Sequence, residues 1–194
     1  MTNEQQSNVI RLEADRILNE SGLMEALNRF GKTLVHGSYA LDLMTWRDLD
    51  MYVETVDWSE SRFFDLGKAI AACVQPSKMS YRNERQGETD HLPRGLYWGA
   101  YAGLFGQTWK FDVWALDAQQ YRQKQEAFAL LAAKINDGNR PFILSLKSEL
   151  HRHPEYRRTF FSVDVYEAVF EGIRTKAQFS NWLGERRGLR YCFD

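Results

Sequence analysis

The sequence predicts an α+β protein: a small mixed β-sheet of about four or five strands, flanked by helices, with a C-terminal helical segment. Three observations carry this. Strand patterning is confined to residues 33–116, helical spacing occupies residues 5–30 and 60–75, and from residue 118 onward the pattern is helical throughout. Strands in front and helices behind favour α+β over an alternating α/β order. The expected division is a core over residues 1–117 and a helical segment over 118–194 packed on it.

Each element has its own reason. Residues 5–20 place Val9, Ile10, Leu12, Ile17 and Leu18 near one face, as an amphipathic helix does. Ser21-Gly22 interrupts it, and a short second helix ends at Gly31. Thr33-Leu34-Val35-His36 reads as a buried strand running into Gly37-Ser38, and residues 48–53 alternate as a half-buried strand. A helix over 60–75 is capped by Ser59 or Ser61 and stopped by Pro76, with Phe63, Leu66, Ile70, Cys73 and Val74 inward. Residues 77–93 are polar and read as a loop. Residues 95–116 read as a hairpin closed by a type II′ turn at Gly106-Gln107, which sets Asp112 opposite Tyr101, with Gly99 and Gly103 leaving space beside it. Asp117 caps a helix that ends near Asp137-Gly138-Asn139, and Pro141 suits the first turn of a helix over 141–150. Ser162 and Thr175 cap two more, over about 162–173 and 176–186.

Composition excludes several classes. With 194 residues the chain is long enough to bury a core without staples. Cys73 and Cys192 make no disulfide framework and read as small hydrophobes. No apolar run approaches the ~18 residues of a membrane span. The polar N-terminus is unlike a targeting peptide, so a cytoplasmic protein is expected. The net charge is −1, which argues against long nucleic acid as partner. That balance hides an asymmetry: residues 140–194 hold ten Lys/Arg against seven Asp/Glu, so a positive surplus of three lies in the helical segment.

The chemistry is concentrated in Val35–Val53 and one later strand. Residues i and i+2 of a strand share a face, so Asp48 and Asp50 point the same way while Leu49, Met51 and Val53 point into the core. Two adjacent carboxylates raise each other's pKa unless a cation sits between them, and clustered oxygen ligands suit Mg²⁺ or Mn²⁺. Gly37-Ser38 follows a buried strand, where free backbone N–H groups and a hydroxyl hold phosphate oxygens. Nine residues separate Ser38 from Asp48, enough for one helical turn and a return along the next strand. Asp112, in Lys110-Phe111-Asp112-Val113-Trp114, supplies a third carboxylate.

Gly37-Ser38, then Asp48-x-Asp50, then Asp112 on a later strand resembles the nucleotidyltransferase superfamily of the polymerase-β type, over about residues 5–117. Ala40-Leu41-Asp42-Leu43 and Arg47-Asp48-Leu49-Asp50 are similar to the small nucleotidyltransferases that modify lincosamides and aminoglycosides, which often carry Gly-Gly where this chain has Gly37-Ser38. The resemblance implies a nucleotidyltransferase core that moves a nucleoside monophosphate, AMP from ATP, onto a hydroxyl of a small-molecule acceptor such as an antibiotic. Pyrophosphate would leave. Asp48, Asp50 and Asp112 would be catalytic and hold two Mg²⁺ or Mn²⁺ ions ~3.5–4 Å apart. Gly37 and Ser38 would grip the nucleoside triphosphate, helped by Arg47, Lys110 and Lys147, and Asp112 is also a candidate to take the acceptor's proton.

Two alternatives stand beside this: a nucleotidyltransferase acting on a protein or tRNA in a toxin–antitoxin pair, and an inactive nucleotide-binding module. An oligomer is compatible with the sequence. The remaining polar motifs read as ordinary structure: His36 as a core histidine, His151-Arg152-His153 as a solvated turn, and Arg157-Arg158 as helix surface. Tyr101 and Trp114 share Asp112's expected face and are the aromatic candidates for a pocket.

Overall fold

The structure, a computed structural model, describes residues 1–56, 59–87, 89 and 92–188; Cys192 lies outside them. One mixed five-stranded sheet runs in the order β1 (Lys32–His36), β2 (Asp48–Glu54), β5 (Gln107–Leu116), β4 (Leu96–Leu104), β3 (Lys78–Asn83). Only β2 and β5 are parallel; the other neighbours are antiparallel. Eight helices accompany it among the described residues: α1 (Asn3–Glu20), α2 (Leu23–Phe30), α3 (Gly37–Ala40), α4 (Glu60–Val74), α5 (Ala118–Ala132), α6 (Arg140–Leu150), α7 (Ser162–Phe170) and α8 (Lys176–Arg187). None is long and apolar enough to cross a membrane.

The period-2 pattern of β2 sorts its side chains. Leu49, Met51 and Val53 are fully buried and join Phe111 and Val113 of β5 in a core roofed by α1, α2 and α4. On that side the Trp98 indole N–H donates to the Phe63 carbonyl at 2.9 Å, tying β4 to α4. The opposite face carries Asp48, Asp50 and Asp112 and looks toward α5 and α7. A second apolar cluster joins α6, α7 and α8 to Leu41 and Leu43, which lie in the spacer between α3 and β2. The spacer is thus pinned by the C-terminal helices, so these helices help to place β2.

The helix caps follow the sequence closely. Ser59 accepts from the Arg62 N–H, Asp117 from the Gln120 N–H and Thr175 from the Gln178 N–H. Five expectations are corrected. Residues 78–83 are a strand: Met79 and Tyr81 pack on the core, while Lys78, Ser80 and Arg82 alternate with them, the polar pattern of an edge strand. The hairpin turn is Phe105-Gly106, both with positive φ (53° and 69°), a type I′ turn. Arg16 stacks its guanidinium over the Phe105 ring at 4.8 Å, which gives that strained position a partner. The register moves by two residues, which preserves faces: Asp112 now faces Gly99, and Lys110 faces Tyr101. The helix after Asp117 ends at Ala132 and turns lead on to Asn139. Ser162 is the first residue of α7 rather than its cap, its hydroxyl being engaged with Tyr156 at 2.6 Å.

Candidate active site

Strand register builds the acid cluster. Parallel pairing sets Asp50 beside Asp112 and Asp48 beside Lys110, all on one face. The three carboxylates offer oxygens within 4.8 Å of one another. They stand on the wall of a cavity of about 750 Å³ between the sheet, α5, α7 and the loop before α7, a volume in the range of small-ligand pockets. His36, Gly37 and Ser38 line the same cavity, because β1 pairs antiparallel with β2 and places His36 opposite Asp50. The one-turn α3 then brings the chain back, as the nine-residue spacer requires.

Three acids meet two cations. The Arg157 guanidinium donates to Asp48 Oδ2 at 2.7 Å, and Trp46 Nε1 reaches the same oxygen at 3.4 Å. Lys110 Nζ donates to Asp112 Oδ2, while the Tyr97 hydroxyl donates to Asp112 Oδ1 at 2.5 Å. Asp50 makes no hydrogen bond or ion pair among the described residues. Desolvation, then the charges of Asp48 and Asp112, hold Asp50 well above the usual carboxylate range. Desolvation, then Asp112, also raises Asp48, against Lys110 and Arg157. Asp48 Oδ1 is buried without a hydrogen-bond partner. A set of hard oxygen donors, one of them orphaned and one carboxylate uncompensated, fits a divalent cation such as Mg²⁺ or Mn²⁺.

Gly37 is required for a reason the sequence does not display. Its φ is +68°, and a Cβ there would stand 2.2 Å from Asp50 Oδ2. Gly37→Ala is expected to lower stability by about 1–2 kcal/mol through the left-handed backbone alone, measured by urea melts. It should also push Asp50 from the cluster, read as weaker Mn²⁺ binding. The space expected at Gly99 is filled by the Tyr97 hydroxyl, so this glycine admits a tyrosine rather than a ligand, whereas Gly103 is open but faces Thr108 instead of flanking Asp112.

The other candidates divide. Lys110 lies in the cavity wall, 20% exposed, and is paired with Asp112. Arg47 is held by Glu13 of α1 through two contacts of 2.6 and 2.8 Å and does not line the cavity. Lys147 is buried, donating to the Leu43 carbonyl at 2.6 Å and the Tyr166 hydroxyl at 3.1 Å, with the Trp46 ring 4.5 Å away; burial lowers its pKa to about 7. It supports the spacer from behind instead of facing the cavity. Tyr101 and Trp114 do not line the cavity either; Trp114 packs against Tyr97 at 4.7 Å. His151 stacks near Trp46 and belongs to no ligand cluster among the described residues.

Three cavity residues escape sequence reasoning. Arg157 lies in the loop between α6 and α7, 109 positions from Asp48. Lys124 projects from α5 toward His36, with no hydrogen bond or ion pair among the described residues, and lowers the His36 pKa electrostatically. His36 stacks on Tyr52 at 3.7 Å, and its Nε2 is buried and unpartnered. For Lys124, its place on the helix directly after the Asp112 strand was the available signal.

No family model matches the chain, and no curated protein matches it. A solved structure does: the Cid1 poly(U) polymerase with Mg 3′-dATP bound, at a TM-score of 0.55 and 15% identity, covering 81% of this chain and 47% of that one. The chain thus spans about half the length of that protein. Over the covered stretch the two proteins share a fold, which in this chain is a mixed sheet carrying the acid cluster, with helices on both sides.

Proposed function

We propose that this protein is a metal-dependent nucleotidyltransferase that transfers a nucleoside monophosphate, AMP from ATP, to a hydroxyl of a small-molecule acceptor. One observation carries the reading: Asp48, Asp50 and Asp112 converge within 4.8 Å on the wall of a cavity that also holds Gly37 and Ser38. In the reaction the acceptor oxygen bonds to the α-phosphorus, the bridging oxygen leaves with pyrophosphate, and the acceptor proton passes to solvent.

Asp48, Asp50 and Asp112 would hold the divalent cation. When bound, such a cation neutralises phosphate charge and stabilises the entering and leaving oxygens of an in-line displacement. The chain's own part is positioning. The Ser38 hydroxyl and the backbone of the α3 turn donate to phosphate oxygens, and Lys124, a cavity amine with no ion pair among the described residues, meets the far phosphates. Asp112 accepts from the Tyr97 hydroxyl on one oxygen and from Lys110 on the other, which fixes its orientation beside Asp50. Arg47, paired with Glu13, takes no part in nucleotide binding on this reading. The acceptor enters between α5 and α7, whose walls are largely apolar: Phe128, Leu131, Val163 and Phe170 face the space. Apolar walls favour a compact organic acceptor over a polyanion, which requires a cationic track.

The test is direct. The protein is incubated with α-labelled nucleoside triphosphates, Mg²⁺ or Mn²⁺, and a panel of aminoglycosides, lincosamides, proteins and tRNA. Metal-dependent pyrophosphate release with label on a small molecule is expected, and its loss in Asp48→Ala. Absence of nucleotide binding with either metal refutes the reading, and label on tRNA or protein moves the acceptor to that class.

A further inference from the structure

The ion pair on Asp48 is asymmetric. The Asp48 side chain is 7% exposed, whereas that of Arg157 is 46% exposed. Lys110, the cluster's other cation, sits on the central strand β5; Arg157 sits on a loop and has φ +65°, a backbone conformation rare outside glycine and concentrated at functional sites. The loop is closed locally, with the Arg157 N–H donating to the Phe160 carbonyl at 2.8 Å. The guanidinium lies 5.8 Å from both the Trp46 and Tyr156 rings. Behind it a recess of about 260 Å³ is lined by Trp46, His151, Tyr156 and Arg157 itself, so the side chain stands between two spaces.

A divalent cation and Arg157 meet at the same carboxylate, where their like charges repel. Asp48 Oδ2 is occupied and Oδ1 is orphaned, so a metal bound by Asp48 and the uncompensated Asp50 meets the guanidinium at the carboxylate. We infer that Arg157 is the resident counter-cation of the acid cluster: it yields Asp48 to the divalent cation and then serves as a phosphate-binding residue for the incoming triphosphate. The inference rests on the metal-dependent reading above. The planar guanidinium fork suits the second role, since it pairs with phosphate oxygens two at a time, and both destinations border one cavity. Arg157 would thereby make metal and nucleotide binding mutually dependent, because the group displaced by one becomes a ligand of the other.

The experiment separates these roles. Mn²⁺ affinity is measured by electron paramagnetic resonance at pH 8.5 without nucleotide. Affinity for a non-hydrolysable ATP analogue is measured with saturating Mg²⁺. Arg157→Ala, Arg157→Lys and Arg157→Asn are compared with Arg158→Ala; Asn tolerates the left-handed backbone and protects the loop's fold. Removing the guanidinium is expected to tighten Mn²⁺ binding about two- to fivefold, the scale of losing one partly exposed competing ion pair. The same variants should bind the analogue at least about tenfold more weakly, the scale of a charge-assisted hydrogen bond. Arg157→Lys falls between, and Arg158→Ala matches the wild type. A merely structural arginine would weaken both affinities together, so opposite signs are the signature. Unchanged or weaker Mn²⁺ binding overturns the counter-cation role, and unchanged analogue binding overturns the phosphate role. If neither wild type nor folded variants bind Mn²⁺, the metal-dependent reading itself fails.

Discussion

Replacing Asp50 by Asn is expected to abolish nucleotidyl transfer and, at the same time, to stabilise the metal-free protein. The loss should reach about a thousandfold, since a ligated metal supplies several kcal/mol of transition-state stabilisation and each ~1.4 kcal/mol is tenfold in rate. The stability gain follows from the charge count. Lys110 and Arg157 serve Asp112 and Asp48, and Asp50 has no cation of its own. Desolvation and its two acidic neighbours raise its pKa well above the unfolded value. For an acid raised in this way, the folded state binds more protons above pH 4, so stability falls as pH rises from there toward the folded pKa. Asn carries no such penalty. A gain of about 1–2 kcal/mol corresponds to a melting temperature higher by roughly 2–8 °C for a chain of this size. Calorimetry without metal reads the gain and pyrophosphate release reads the loss. A variant that is both inactive and less stable would mean that Asp50 is a structural residue.

Acid sensitivity is the second large effect, and it belongs to His36. Its pKa is pushed down to about 3 from 6.5, first by burial and then by the charge of Lys124. A base depressed on folding is neutral in the native state and protonates on unfolding. The unfolded state thus binds more protons between about pH 3 and 6.5, so stability rises with pH across that window and is lost as pH falls through it. Between pH 7 and pH 5 the loss from this residue is about 2 kcal/mol. His36→Phe keeps a ring against Tyr52 and removes the titration. Its urea stability relative to the wild type should therefore grow by about that amount on going from pH 7 to pH 5. Equal changes in both proteins would exclude His36 as the acid-sensitive group.

Both effects arise where local sequence and tertiary context meet. Asp48, Asp50 and Asp112 were legible because strand alternation is a local rule: a period of two sorts carboxylates from Leu49, Met51 and Val53 without knowledge of the partner strand. Caps at Ser59, Asp117 and Thr175 were legible for the same reason, since a cap satisfies N–H groups three residues away. The hairpin failed by two residues because a local preference was overridden. A turn with Gly first favours Gly106-Gln107, but Phe105 accepts a positive φ with Arg16 stacked on its ring, a contact 89 residues away in sequence. The edge strand β3 failed because an edge strand is polar on one side by necessity.

The cations divide along the same line. Arg47, Lys110 and Lys147 were equal candidates as charges near the motif or in the helical segment, and nothing local separates them. Glu13 takes Arg47, the Leu43 carbonyl and the Tyr166 hydroxyl take Lys147, and β2–β5 pairing leaves Lys110 at the site. Of the positive surplus of residues 140–194, Arg157, which reads as surface in the sequence, reaches the acid cluster through Asp48.

By itself, then, the sequence determined the α+β class, the acid constellation and the face it occupies, because each depends on spacing within a few residues. The tertiary structure decided which cations meet those acids, why Gly37 must be glycine, and that the C-terminal helices close the cavity. Those outcomes depend on pairs far apart in the chain, where chain connectivity imposes no spacing and only packing, charge compensation and burial choose the partner.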